Sequence, residues 1–346
     1  MTLPSDRMTL ALIPVEKVLW HTAGWDEYSC RWRVDAGNLL DAVRRLGVID
    51  AVTVEDLCEG YRLISGFRRI AAAREVGIIE LPAAVYASGA LSAKEAFLAA
   101  LAANAGGATL SDADRAVALA RGRDLARMNE EELVGVAAPL LGLASSHKVV
   151  REYLEIASLP ACILDALQEG RISRQHAEAV LLVAADDREW FFKKAVLPLR
   201  LSASDTRLVA SAALDLAARE KRPFAELLSQ ALAASAEKVG ESPQEAKAAL
   251  KEALSRRLSP LVTGMQDEFD ALASALRLPA GAKVAHSPGF ESDEIEIAAK
   301  VPDEAALRAL KNAIERGLES GAFERMFSIA RRKADDISLG LSRRGP

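Results

Sequence analysis

Short apolar blocks open the chain. Residues 9–18 (TLALIPVEKV), 52–54 (VTV), 61–64 (YRLI) and 81–86 (LPAAVY) carry the dense apolar runs of strands, and 38–47 and 67–76 between them have helical spacing. This alternation predicts a small α/β unit. From Leu110 the helical period takes over, at 111–127, 130–143, 146–157, 160–169, 173–185, 187–196 and 203–219, with short turns such as Leu159-Pro160 and Glu169-Gly170. Ser111 followed by Asp112 and Asp114 is a helix N-terminal signal. No strand pattern interrupts this stretch, so an all-α domain is expected. Residues 223–258 are rich in alanine and charge and read as one long helix or a linker. A last unit follows: helix 266–276, strand 282–286, a turn at Ser287-Pro288-Gly289, strand 294–300 and helix 303–317. Ile295, Ile297 and Ala299 alternate with Glu294, Glu296 and Ala298, the pattern of a half-covered sheet.

Composition adds limits. A chain of 346 residues suggests two or three domains. Hydrophobic residues at 50% and aromatics at only 5% favour closely packed helices. A net charge of -5 excludes a uniformly basic coat, so any nucleic-acid contact must come from local patches. Cys30, Cys58 and Cys162 form no C-x-x-C pair and there are 4 histidines, which points to free buried thiols rather than a zinc site or disulfides. No apolar run approaches the roughly 18–20 residues of a membrane span, and the N-terminus lacks a long apolar segment with a cleavage site. A cytoplasmic protein is expected.

Two stretches carry candidate chemistry. In 61–77, YRLISGFRRIAAAREVG, a strand and Gly66 lead into a helix that starts with Arg68 and Arg69. Cations at a helix N-terminus are disfavoured unless an anion is shared there, and glycine permits close backbone approach. This turn is therefore a candidate anion site. In 132–158, one helix ends near Gly142 and another begins after Ser145 or Ser146, a helix-turn-helix spacing. Ser146 is placed to cap the second helix, with Val149, Val150, Tyr153, Leu154 and Ala157 on one face. His147, Lys148 and Arg151 then face outward, the layout of a helix that reads a major groove. Helix pairs with short turns are also common in any helical domain, and Glu152 and Glu155 would repel phosphates. His176, inside an apolar repeat, reads as a packed or capping histidine. The pairs Asp186-Asp187 and Asp335-Asp336 diverge by ~100° per residue on helices and read as solvated, so no metal site is expected. Arg331, Arg332, Lys333, Arg343 and Arg344 give the end of the chain a basic character suited to weak, salt-sensitive DNA contact or to a solubilising tail.

Taken in order, these pieces resemble the ParB family of DNA-partition and nucleoid-occlusion proteins. The resemblance rests on IPVEKV at 13–18, LLDAVRRLGVIDAVTV at 39–54, ISGFRRIAAAREVG at 64–77, SSHKVVREYLEIASLPACILDALQEGRISRQHAEAVL at 145–181 and AKVAHSPGFESDEIEIAAKVPDEAALRALKNAI at 282–314. It implies a mainly α chain with a ParB/Srx-like α/β N-terminal domain at 1–108 and an all-α helix-turn-helix domain at 109–222. A linker or long helix at 223–259, a small α/β dimerisation domain at 260–320 and a basic tail at 321–346 would follow. The implied function is sequence-specific binding of double-stranded DNA in chromosome or plasmid partition by a nucleoid- or plasmid-associated homodimer. A ParA-type ATPase partner and a clamp gated by CTP with magnesium belong to the same resemblance. Carried over residue by residue, the nucleotide motif falls on Gly66, Arg68, Arg69 and Asn104, and DNA contact on Ser146, His147, Lys148, Arg151 and Arg174.

The chain departs from the family pattern at charged positions. Phe67 and Ala103 stand where the family has glutamate, Ala71 and Gly107 where it has arginine, and Asp50-Ala51 leads to Glu55 where a cation is usual. An acid at Glu55 is expected to repel phosphate. Each lost charged hydrogen bond is worth roughly 1.5–3 kcal/mol, so nucleotide affinity is expected to fall by orders of magnitude. No catalytic residue is assigned. The other readings are a transcription regulator without a CTP switch, a CTP-hydrolysing enzyme in which Asp50, Glu55 or Glu75 supplies the lost carboxylate, and a nuclease-like enzyme. The last would need a metal or general-base cluster near the arginine turn, which the sequence does not show.

Overall fold

The structure, a computed structural model, describes residues 8–19, 28–105, 110–236, 242–287, 290 and 292–341, the side chains of 105, 235–236 and 332–341 excepted. The chain divides into two compact units, Met1–Ser211 and Ala212–Pro346, a boundary that falls inside a helix. The first unit contains both the expected α/β region and most of the expected helical one.

In the first unit the apolar blocks become strands β1 (Met8–Pro14), β2 (Val18–Leu19), β3 (Val52–Leu57), β4 (Gly60–Ser65) and β5 (Glu80–Tyr86). They form one mixed sheet in the order β1-β5-β3-β4-β2, with β3 and β5 parallel and β3 and β4 antiparallel. Leu63 and Ile64 are adjacent on β4 yet both buried, so both faces of the sheet are covered at this strand, whereas Leu10 and Leu12 of edge strand β1 are exposed. Helices α1 (Leu39–Leu46) and α2 (Phe67–Val76) pack together, and α3 (Ala93–Ala105) packs against β4. The periodicity argument missed α3: AKEAFLAALAANA has little polar face to set a period. Gly66 links β4 to α2 at φ +99, and a Cβ there would lie 2.6 Å from Val52 Cγ1. The turn needs glycine because it presses on β3, whether or not a ligand approaches.

Helix α4 (Asp112–Asp124) begins as its sequence signal suggests: Ser111 and Asp114 form a reciprocal capping box. The segment read as one helix at 130–143 is instead α5 (Glu130–Glu132), a π-helical turn at Leu133–Ala137 and α6 (Ala138–Leu140). Pro139 has no N–H to continue the ladder, which accounts for the irregularity just before it. Helices α7 (His147–Ile156), α8 (Ala161–Gln168), α9 (Arg174–Leu181) and α10 (Ala185–Phe191) follow. Helix α4 packs against both α7 and α8, and α7 against α9. Helix α11 (Ala203–Glu220) crosses the unit boundary.

The second unit corrects two expectations. The 223–259 segment is neither a linker nor a single helix: α12 (Phe224–Ala236) and α13 (Pro243–Leu258) pack against each other and bury Leu227, Leu228, Leu250 and Leu254. Pro243, favoured in a first helical turn, marks the restart. The expected basic tail is helix α16 (Ala322–Leu341), whose Phe323, Met326 and Ile329 recur on one buried face. Arg331 is exposed on it; the side chains of Arg332, Lys333, Asp335 and Asp336, and residues Arg343 and Arg344, lie outside the described residues. Between come α14 (Pro260–Ala275), the antiparallel pair β6 (Ala282–His286) and β7 (Ile295–Ala299), and α15 (Glu304–Glu319). Pro288 and Gly289 of the expected turn also lie outside the described residues. Ile295 packs on the core around Phe269, Phe290 and Phe323, whereas Ile297 is 43% exposed, so the alternation buries less of β7 than expected. Among the described residues, no helix is long and apolar enough to cross a membrane.

Candidate functional site

The residues carried over for nucleotide binding meet at one place. Gly66, Arg68, Arg69 and Asn104 line a cavity of about 300 Å³, with Ser29, Cys30, Arg31 and Ser65 completing its polar wall. The start of α2 has no side-chain cap, which leaves its first N–H groups for another acceptor. The two arginines are not idle. Arg68 donates through Nε to Asp35 O (3.2 Å) and through Nη2 to Ala36 O (3.1 Å) and Asn38 Oδ1 (2.7 Å). Gly37 makes room for it, since a Cβ there would sit 2.9 Å from Arg68 Nη2. Arg69 donates through Nη1 to Asp50 O (3.0 Å) and Ala51 O (2.7 Å). The cations at this helix start therefore tie down two loops, and Arg69 keeps its Nε and Nη2 donors unshared among the described residues. Asn104 spends its amide nitrogen on Ala100 O at 2.8 Å. Gly107 lies outside the described residues.

Glu55 does not do what the sequence suggested. It is 2% exposed, pairs with Arg62 across β3 and β4, and accepts from Gly89 N at 2.8 Å, away from the cavity wall. Its charge is paired with Arg62 instead of being presented on the cavity wall. Glu75 is exposed on α2 and also lies off the wall, so of the three carboxylates considered for catalysis only Asp50 lines the cavity. Among the described residues, no group of three or more His, Cys, Asp or Glu side chains is placed to hold a metal ion. With Phe67 and Ala103 as apolar neighbours, Asp50 is the one acidic residue on the lining, a sparse set of protein oxygens for magnesium.

The segment Tyr28–Ala36 had no readable period, and sequence reasoning missed its role. Its Ser29, Cys30 and Arg31 form one wall of the cavity, while the same stretch is pinned to the helices behind. Asp114 on α4 accepts from Trp32 N at 2.9 Å and pairs with Arg31 at 3.6 Å. Arg121 donates to Ser29 O (2.6 Å) and Arg31 O (3.0 Å). Asp165 on α8 accepts from the Trp32 indole at 2.7 Å and from Arg33 at 2.9 Å. The bond from Arg33, ahead of the smaller contribution of Trp32, holds the Asp165 carboxyl below its ordinary range. Burial pushes the Cys30 thiol up to about 12, against the pull of Arg121 and Arg31. Cys58 is exposed and Cys162 intermediate, so the expectation of buried thiols holds only for Cys30.

The residues carried over for DNA contact lie at the N-terminal half of α7 and the start of α9. Val150, Tyr153 and Ile156 are buried, and Tyr153 donates to Asp112 Oδ1 of α4 at 2.6 Å, fixing the helix by its inner face. Ser146 holds the N-cap position, but its side chain makes no cap bond, contrary to expectation. Lys148 and Arg151 project with 85% and 68% of their side chains exposed, and His147 is also exposed. Each has an acidic neighbour. Arg151 Nε lies 2.9 Å and His147 Nδ1 3.0 Å from Glu130 Oε1, and Lys148 Nζ lies 3.9 Å from Glu152. Arg174 reaches Glu152 (3.5 Å) and Glu178 (3.4 Å) and lies 5.7 Å from the Tyr153 ring centroid. Arg151, then His147, holds Glu130 below the usual carboxylate range. Glu152 is thus shared between Lys148 and Arg174 instead of standing as a bare negative charge. His176 is structural: its Nδ1 accepts from Ser173 N (3.1 Å) and its Nε2 faces Leu201 O (3.1 Å).

No family model matches the chain. Among curated proteins, it is 32% identical over 157 residues to the chromosome-partitioning protein Spo0J of Thermus thermophilus, an overlap of 45% of this chain and 55% of that one. The matches thus span little more than half the length of such relatives. The C-terminally truncated chromosome-partitioning protein ParB from Caulobacter crescentus, solved in complex with the centromeric parS site, matches 58% of this chain and 98% of its own at 19% identity and a TM-score of 0.35. The same protein solved with CTP-γ-S matches 53% of this chain and 99% of its own at 18% identity and a TM-score of 0.21. Over the region it shares with its curated relatives, about half of its length, this chain is similar to chromosome-partitioning proteins of the ParB and Spo0J type.

Proposed function

We propose that this protein binds a specific double-stranded DNA site as a homodimer in chromosome or plasmid partition, with α7 as the recognition helix. The observation that carries the reading is the outer face of α7: Lys148 and Arg151 project beyond a helix locked by Tyr153 to α4, with Arg174 beside them. The relationship to a chromosome-partitioning protein supports it. Exposed ion pairs are worth about 0–1 kcal/mol each, so phosphates can displace Glu130 and Glu152 at small cost. In this reading, 1–108 is the nucleotide-type domain, 109–222 reads DNA through Ser146, His147, Lys148, Arg151 and Arg174, and 260–320 dimerises. Two-fold symmetry would match a two-half-site target. The protein would act in the cytoplasm on nucleoid or plasmid, with a ParA-type ATPase as its partner, and the cavity at Gly66, Arg68, Arg69 and Asn104 would bind CTP.

Fluorescence anisotropy of the selected DNA site against the Lys148→Ala/Arg151→Ala variant tests the recognition helix. Losing two phosphate contacts should reduce the slope of log K against log salt by about 2 and weaken binding throughout. Unchanged affinity and slope would remove α7 from the interface. A second reading, a site-specific regulator without a CTP switch, is favoured by Phe67 and Ala103 standing on the cavity wall in place of the family's glutamates.

A further inference from the structure

Ser65, the last residue of β4, is 5% exposed and lines the cavity, yet its hydroxyl has no hydrogen-bond partner among the described residues. A buried polar group left unpaired costs about 1–3 kcal/mol, a penalty that an oxyanion accepting from Ser65 Oγ removes. The same wall presents the uncapped start of α2 and the unshared Nε and Nη2 donors of Arg69. Arg31, Arg68 and Arg69 are among the residues that line the cavity, against Asp50 as the one acidic residue of the lining. The wall is therefore built for negative oxygen. It is not built for a divalent cation. Phe67 is buried and apolar and Ala103 offers no ligand, which leaves Asp50 as the one acidic residue on the lining.

We propose that this cavity takes a phosphate chain, as part of a nucleotide or as free polyphosphate, without a divalent metal ion: Ser65 Oγ and the α2 amides donate to it, and Arg68 and Arg69 supply the neutralising charge. The proposal rests on the reading of the cavity as a phosphate site and goes beyond it by removing the metal. Guanidinium forks suit this role because their charge is permanent and their N–H pairs match phosphate oxygens.

Isothermal titration of the full-length protein with CTP, and separately with inorganic tripolyphosphate, each in magnesium and in EDTA, tests it. The expected CTP affinity in EDTA is within about threefold of that in magnesium, and Ser65→Ala weakens it roughly tenfold, the worth of one hydrogen bond to a charged group. Ala103→Glu, at an exposed rim position, should weaken metal-free binding roughly tenfold by placing a carboxylate near the phosphates, with magnesium restoring it. Binding that requires magnesium in the unmodified protein would overturn the proposal and leave the nucleotide reading standing. Tripolyphosphate binding without CTP binding would keep the metal-free site and sink the nucleotide reading. If neither ligand binds in either condition, both fall.

Discussion

Replacing Asp114 with alanine should destabilise the first unit by about 3 kcal/mol or more, a magnitude that follows from what its carboxylate holds. The residue is 1% exposed. One oxygen accepts from Trp32 N at 2.9 Å; the other accepts from Ser111 N at 2.9 Å, completing the capping box of α4. The Ser111 Oγ cap on the residue-114 N–H is retained, but losing the reciprocal bond from Ser111 N costs about 0.5–1.5 kcal/mol. A stranded N–H at Trp32 adds about 1–3 kcal/mol, and the Arg31 guanidinium loses its partner. Asp114→Asn, which retains an oxygen for Trp32 N, should cost about half as much. The assay is urea denaturation followed by far-UV circular dichroism, analysed for the first of two transitions if the units unfold separately. Because Trp32 sits in the segment that walls the cavity, hydrogen exchange should also show residues 28–36 losing protection first. A loss under about 1 kcal/mol, with 28–36 still protected, would mean that Asp114 does not pin that segment and would refute the reasoning.

Thiol labelling of the native protein should modify Cys58 quickly and spare Cys30 until unfolding, since one is exposed and the other is buried with its thiol pushed up to about 12; early labelling of Cys30 would contradict its packing. Asp165, held below its ordinary carboxyl range by Arg33, lends stability that is present above the unfolded value and lost as pH falls through the folded one. The melting-temperature difference between the protein and Asp165→Asn should therefore shrink as pH drops below about 4, and a difference that does not change with pH would argue against the pairing. For the proposed dimer, Ile297→Asp on exposed β7 should shift sedimentation towards the monomer without changing helix content, and an unchanged dimer would exclude that surface.

Local signals were legible where the backbone alone decides the outcome. The apolar blocks became β3, β4 and β5, and the Ser111 signal became a true cap, because both depend on residues within a few positions. Arg68 and Arg69 drew attention for a sound reason, a cation where a helix start disfavours one, and Gly66 and Asn104 do share their cavity. What the sequence could not show was which acceptors the arginines meet, since Asp35, Ala36, Asp50 and Ala51 come from loops placed by the sheet. Glu55 was misjudged for the same reason: its register with Arg62 exists only once β3 and β4 pair. Helix α3 escaped notice because alanine leaves no polar stripe, and α16 because basic residues late in the chain masked the spacing of Phe323, Met326 and Ile329. The cavity residues Ser29, Cys30, Arg31 and Ser65 carried no motif and become a site only through tertiary packing.

The central claim, a partition-type protein that reads DNA through α7, is tested most directly by recovering genomic DNA bound to the intact protein in cells and comparing it with DNA bound by Lys148→Ala/Arg151→Ala. The account predicts a few clustered sites near a replication origin, or on a plasmid, sharing one palindromic sequence and lost in the variant. Sites dispersed over promoters would favour regulation over partition. No enrichment of any sequence, or the same enrichment with the variant, would contradict the account.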